Sequence, residues 1–428
     1  MIKINDFALL LITLSGIAYL WFAGTQFMGI HLPPIIAAVG IYVTLTIVFS
    51  KTKFSVSPIV KTIFLVSLVL IGWMSLRELL AGTELALVIK VIGGRVLVGV
   101  IIAFSTWFLT TKLWHLRFVT YVFIAAITVS AIVGIGQYFV GEPFVRLWEL
   151  TGGYLPKLRE VRLGYIAGLA NYSIPFGYQL CAFVPLVFGL CISHAVKHRK
   201  VFFIIFLILF LSLFLTQSRS AVAGTLLGII VIMWSVHKGK KLKRDLLFSS
   251  FGALAYLLYG VYVNPRMITF AEFSAQARLP LFIAALWTGF THPFGTGRAA
   301  YTEVASGFYG LIEELPSAGM ILEHTAHNQF LNMLGYYGIP GLVLTILFYV
   351  FLFQLLRMGK TTVVSTRFLS GMKVGLLGSF TAYLINSLFH NAGPFIGDPV
   401  NWYIIGLALA TNKLATFNVA GGKKWVTA

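Results

Sequence analysis

The sequence predicts an all-α, polytopic integral membrane protein with about twelve transmembrane helices and one large outer loop between the ninth and the tenth. Two observations predict this class. The chain is 58% hydrophobic and only 11% charged, against roughly 25% charged residues in a soluble domain. Its apolar runs also reach about 20 residues, the length that crosses a bilayer and far more than one soluble core could hide. A membrane β-barrel would instead show short alternating segments.

Spans are expected near 6–24, 32–50, 62–80, 91–110, 118–140, 172–195, 201–217, 220–236, 245–263, 338–356, 368–388 and 400–412. Met1 to Phe22 has one early lysine and no A-x-A-like cleavage site, and reads as a retained first helix. Cys181 and Cys191 fall ten residues apart on one expected helix. That is about 15 Å of rise, too far for a disulfide.

The net charge of +19 could suggest nucleic acid, but its distribution argues against it. The segments following even-numbered spans, with the two termini, hold 20 of the 32 basic residues and, of the acids, only Asp6 and Asp245. This is the positive-inside pattern, with both termini cytoplasmic. No basic stripe with interleaved aromatics occurs, so no nucleic-acid partner is expected; membrane lipids are. On the opposite face acids and bases nearly balance, so its arginines are not topology signals and need another reason.

That outer face carries two long segments. The first, 141–171, holds Arg146, Trp148, Glu149, Arg159 and Arg162, and its aromatics suggest packing at the membrane surface. The second, 264–337, is the only long polar interval in the chain. The domain reading is therefore helices one to nine over 1–263, a catalytic loop over 264–337, and helices ten to twelve with a tail over 338–428.

Within the loop, Thr325 is a plausible N-cap for a helix beginning near Ala326, which would put His327 and Asn328 in its first turn. Such an end is positive, binds phosphate and favours a neutral imidazole, which can accept a proton. The plain alternative is a histidine hydrogen-bonded at an interface. His324 stands three residues before His327, a spacing that can hold a metal, but the expected helix start between them makes a metal site the poorer reading. No metal and no cofactor are expected.

Arg219 lies in Gln217-Ser218-Arg219-Ser220 at the outer junction of two spans, Arg278 opens an apolar run, and Arg162 precedes the sixth span. Guanidinium groups fork onto phosphate oxygens, so several converging at one face would clamp a diphosphate; each alone could equally be an interfacial anchor or an ion-pair partner. Arg298 reads most simply as a turn residue. Arg95 lies inside the fourth span, where a charge is costly; it is a second-rank contact for lipid phosphate, or a partner for Glu78 or Glu84. There is no G-x-x-x-x-G-K-[ST], no Asp-x-Asp and no G-x-S-x-G.

These residues together resemble the O-antigen ligase/polymerase family of bacterial envelope proteins. The resemblance is carried by Gln217-Ser218-Arg219-Ser220-Ala221, by Arg278 with Trp287 and His292-Pro293-Phe294-Gly295-Thr296-Gly297, and by His324-Thr325-Ala326-His327-Asn328-Gln329-Phe330-Leu331 followed by Gly335-Tyr336-Tyr337-Gly338-Ile339-Pro340-Gly341. It covers about 160 to 345; outside that region only topology agrees. The resemblance implies a multi-pass glycosyltransferase of the bacterial inner membrane with a periplasmic site. It would move a glycan from an undecaprenyl diphosphate carrier to lipid A–core, inverting the anomeric carbon. It further implies His327 as the base and Arg162, Arg219 and Arg278 on the diphosphate, with His324, Asn328, Arg298 and Arg95 in support. An O-antigen polymerase and a protein O-oligosaccharyltransferase would have alike catalytic halves, though the lack of a large soluble C-terminal domain favours a lipid acceptor. From a different class, a lipid-linked oligosaccharide transporter would place its ionisable residues near the midplane, whereas here they collect at outer ends.

Overall fold

The computed structural model describes residues 4–22, 26–27, 30–31, 39–42, 45, 56–151, 157–193, 196–237, 239, 276, 278–315, 317–357, 367–390, 393–395 and 400–417. Apart from one two-residue antiparallel pairing, Gln26–Phe27 with Ile30–His31, the regular structure of these residues is helical. Six described helices are long and apolar enough to cross a membrane. Most of the expected spans 32–50 and 245–263 lies outside the described residues.

The first helix is α1 (Ile4–Phe22), followed by α2 (Pro58–Leu80). Next come α3 (Leu85–Val88) and α4 (Val98–Leu109), joined by a π-helical stretch, Ile89–Leu97. Arg95 falls in that stretch, and its side chain lies outside the described residues. Then come α5 (Leu113–Phe139), α6 (Glu142–Leu150), α7 (Leu158–Arg162), α8 (Ser173–Ile192), α9 (Arg199–Leu215) and α10 (Arg219–Val236). The polar interval is itself largely helical: α11 (Arg278–Thr291), α12 (Arg298–Ser306), α13 (Tyr309–Ile312) and a 3-10 turn at Ala318–Leu322. The chain closes with α14 (Gln329–Arg357), α15 (Arg367–Ser387) and α16 (Val400–Phe417).

Small residues set the centre of the bundle. A Cβ on Gly189 of α8 would overlap the backbone of Gly375 in α15, and one on Gly224 or Gly228 of α10 would overlap the carbonyls of Ala382 or Gly378. Helices that approach this closely gain dispersion contact where lipid supplies no hydrophobic drive. α15 is therefore held between α8 and α10. Its end lies beside the starts of α8 and α10: Asn386 meets Ser220 of α10, and His390, just past α15, packs against Tyr178 of α8.

The segment 141–171 is not a loose surface loop. Trp148 is fully buried in a small core with Val145, Val161 and Ala167, and its Nε1 donates to Ala170 O at 2.7 Å. Gln137 of α5 stitches the chain return: its Oε1 accepts from Ala167 N (2.9 Å) and Gly168 N (3.0 Å), and its Nε2 donates to Gly168 O (2.8 Å). A buried amide with these partners leaves none of its capacity unpaired on the side facing the loop.

The expected start of the tenth span at 338 is a kink inside a longer helix. α14 begins at Gln329 and bends at Gly338, whose backbone (φ 69°, ψ −166°) is open essentially to glycine alone. The bend frees carbonyls, and the His292–Gly297 turn takes them up. Thr296 N donates to Gly335 O (3.2 Å) and Gly297 N to Tyr336 O (2.9 Å), while Ile339 N donates to Pro293 O (2.8 Å). α2 locks this pairing from the other side: Arg77 Nε donates to Gly295 O (2.7 Å) and Trp73 Nε1 to Tyr337 O (2.7 Å). The Pro-Phe-Gly-Thr-Gly and Gly-Tyr-Tyr-Gly stretches are thus two halves of one clamp.

Candidate functional site

Arg219 is placed by strain. The turn from α9 to α10 puts Gln217 at φ 59°, a left-handed conformation that costs a non-glycine residue roughly 1–2 kcal/mol. Thr216 supports the turn, its Oγ1 donating to Leu213 O (2.7 Å) and accepting from Ser218 N (3.2 Å). Ser220 Oγ donates to Asn386 Oδ1 (2.8 Å), fastening the start of α10 to the end of α15.

Arg278 is the first residue of α11. Its guanidinium stands over the Phe389 ring, 5.7 Å from the centroid, and its buried Nε has no hydrogen-bond partner among the described residues. Burial, then the charge of Arg219, lowers its pKa from the ordinary arginine value. A guanidinium starts so high that it keeps its charge.

His327 sits just ahead of α14. The structure corrects the expected cap: the helix starts at Gln329, and Asn328, not Thr325, caps it. Asn328 Oδ1 accepts from Phe330 N (2.9 Å) and Leu331 N (3.1 Å), and its Nδ2 donates to Leu388 O (2.9 Å). Asparagine ranks with serine and aspartate as a cap because its short side chain reaches these orphan N–H groups. Those N–H groups are therefore taken by the protein itself. Burial, then Arg278 and His324, holds His327 below the usual histidine range, so its ring is neutral at pH 7.

The structure thus brings Arg219, Arg278, His327 and Asn328 together, with the exposed His324 at the edge. Two further residues join them that the sequence reading missed, His390 and Tyr178. Their rings lie 5.4 Å apart, and His390 feels Arg278, His327 and Arg219. The signal was slight: His390 is a lone histidine just past a span, far from the polar interval, and Tyr178 reads as an ordinary aromatic in an apolar helix.

Arg162 does not figure among the charges acting on Arg278, His327 or His390. It pairs with Glu142 (3.4 Å) and Glu149 (3.9 Å) of α6, about half exposed. Arg298 opens α12, where its backbone N–H donates to Glu78 Oε1 (2.8 Å). The buried Glu78 also accepts from Tyr337 Oη (3.1 Å) and Thr83 Oγ1 (3.0 Å). Glu78 therefore anchors the clamp, a task unlike the pairing with Arg95 considered from sequence. Among the described residues, no three His, Cys, Asp or Glu side chains are grouped so as to hold a metal ion. From these placements, Arg162→Ala should change donor affinity less than tenfold, the range of an exposed pair worth about 1 kcal/mol, whereas Arg278→Ala should exceed it. Equal losses in a donor-binding titration would put Arg162 back in the clamp.

Helix ends, two arginines and neutral imidazoles thus meet at one end of a multi-pass membrane protein. Residues 204–346 match the family model described as O-antigen ligase, and that match supports an O-antigen ligase/polymerase family protein. That family points to a glycosyltransferase-like ligase or polymerase acting on lipid-linked glycan. No curated protein matches the chain. The matched stretch includes Arg219, Arg278 and His327, but neither Arg162 nor His390.

Proposed function

We propose that the protein is an inverting, metal-independent glycosyltransferase that moves O-antigen glycan from undecaprenyl diphosphate to lipid A–core. The site faces the periplasm from the inner membrane, with both termini cytoplasmic; the charge asymmetry of the connecting segments supports this orientation. One observation carries the reading: Arg219, Arg278 and His327, from three separate elements, converge at one end of the bundle.

The chemistry follows from that grouping. The acceptor hydroxyl oxygen attacks the anomeric carbon from the face opposite the diphosphate, and its proton passes to the neutral ring of His327. The bond from that carbon to the diphosphate oxygen breaks, and the electron pair leaves on the diphosphate. Arg278 and Arg219, already fixed in place, stabilise the developing charge without reorganisation. The carrier linkage supplies the driving force, so no nucleotide is needed.

The test is reconstitution. Protein in lipid is given carrier-linked glycan with either rough lipopolysaccharide or more carrier-linked glycan, and the products are separated on a gel. The expected result is one large shift of the lipopolysaccharide, retained after exhaustive chelation. A ladder built on the carrier would make the protein a polymerase. No product with either acceptor, or a loss reversed by one divalent ion, overturns the proposal as stated.

A further inference from the structure

His390 lies outside both the polar interval and the matched stretch, yet the three residues that end with it touch the site in turn. Leu388 O accepts from Asn328 Nδ2 (2.9 Å), tying this segment to the residue after His327. The Phe389 ring carries the Arg278 guanidinium, 5.7 Å from its centroid. The His390 ring packs against Tyr178 with centroids 5.4 Å apart. The residues just past α15 therefore form a wall of the site, and the His390 ring stands among the same cations. Among the described residues, the groups facing His390 are Tyr178 from α8, Arg219 from α10, Arg278 from α11 and His327 from ahead of α14.

This grouping asks for a counter-charge. Among the described residues, neither Asp nor Glu is one of the groups acting on Arg278, His327 or His390. Among the described residues, Arg278 Nε is a buried donor with no acceptor, and Asn386 Nδ2, on the fully buried asparagine one turn before His390, is another. Buried donors of this kind are costly unless a ligand meets them.

We propose that His390 is a further ligand of the donor's diphosphate and takes up a proton as that group binds. The inference rests on the diphosphate reading above. In the free protein burial first, then Arg278, His327 and Arg219, pushes the His390 pKa down to about 3, so the ring is neutral. A bound diphosphate reverses the sign of the local field. One opposite charge within about 4–6 Å raises such a pKa by roughly 1–3 units, and a diphosphate diester brings about two. The C-terminal end of α15, just before His390, also favours a cation. Between the free and the bound pKa the complex holds one more proton than the free protein. Affinity must therefore rise as pH falls through that window.

The experiment uses the full chain in lipid nanodiscs and farnesyl diphosphoryl-N-acetylglucosamine, without acceptor. Both phosphates of this probe are esterified and do not titrate in the range used. Calorimetry from pH 8 to 5.5, in buffers of different ionisation enthalpy, reads affinity and proton uptake together. Wild type should gain affinity and approach one proton taken up toward pH 5.5. His390→Gln should lose the uptake and bind about tenfold more weakly at pH 6, with His327→Gln keeping the uptake. The proposal is overturned if His390→Gln binds and takes up protons as wild type does, or if His327→Gln abolishes the uptake instead. Wild type alone also decides it: tight binding with no uptake between pH 7 and 5.5 sinks the inference and leaves the diphosphate reading standing. If wild type does not bind the probe, or Arg278→Ala binds it equally well, the diphosphate reading itself falls.

Discussion

His327→Ala is expected to lower turnover by roughly 10²–10⁴-fold, the usual contribution of a general base, while donor affinity changes little. The proposed function gives this ring the task of taking a proton, and burial, Arg278 and His324 all favour its neutral form. Arg278 has the opposite character. Arg278→Lys keeps the charge but loses the planar fork and should weaken use of the donor, and Arg278→Ala should weaken it further. The two residues are also linked through pH. A base acts only when unprotonated, so activity falls as pH drops through the imidazole pKa. Removing the Arg278 charge takes away a cause that lowers this pKa, so the pKa rises and the acid limb of the pH–rate profile moves to higher pH. Arg278→Lys should leave the limb nearly in place. Donor binding, single-turnover rate and pH profile, measured for each folded variant in lipid, separate these roles. Should His327→Ala bind donor poorly yet turn over bound donor normally, the histidine is a phosphate ligand, and the exposed Glu323 and Glu314 become the next candidates for the base.

Much of this arrangement was legible in the chain because the membrane makes polarity conspicuous. Apolar length located all six of the long apolar helices, and Arg219, Arg278 and His327 stood out as polar residues at the edges of apolar runs. What could not be read depends on packing between distant elements. His390 reaches the site only because glycines let α15 sink between α8 and α10. The cap of α14 fell to Asn328 because its side chain meets two N–H groups of the helix and the Leu388 carbonyl at once, a second partner 60 residues away. Arg162 read as a clamp residue from its type and neighbourhood, and only the fold reveals that Glu142 and Glu149 are close enough to pair with it. Glu78 was weighed as a partner for Arg95, whose side chain lies outside the described residues; its bond to a backbone N–H 220 residues on could not be read from the chain.

Gly338→Ala is expected to be strongly destabilising, through the clamp that sets the entry of α14. A Cβ there would overlap Pro293 O, Gly295 N and the Phe294 carbonyl carbon, all of them backbone, so no side chain can swing aside. The backbone conformation adds roughly 1–3 kcal/mol of strain for any L-residue, and each hydrogen bond lost as the turn is pushed away costs about 1 kcal/mol. The bonds at risk are Ile339 N to Pro293 O and Gly297 N to Tyr336 O. The sum, on the order of 4 kcal/mol, is a large share of the stability of an ordinary domain. Gly82→Ala is the control: φ is +79°, but nothing lies within 4 Å of the added methyl, so only conformational strain remains, about 1–2 kcal/mol. Thermal unfolding in detergent should therefore show a far larger fall for Gly338→Ala than for Gly82→Ala. Because the residues from Gln329 to Tyr337 hang from this kink, any folded Gly338→Ala protein should also misplace His327 and lose turnover out of proportion to donor binding. Equal melting temperatures for the two variants would show that the turn at His292–Gly297 yields easily, and the clamp would then have no part in holding the site.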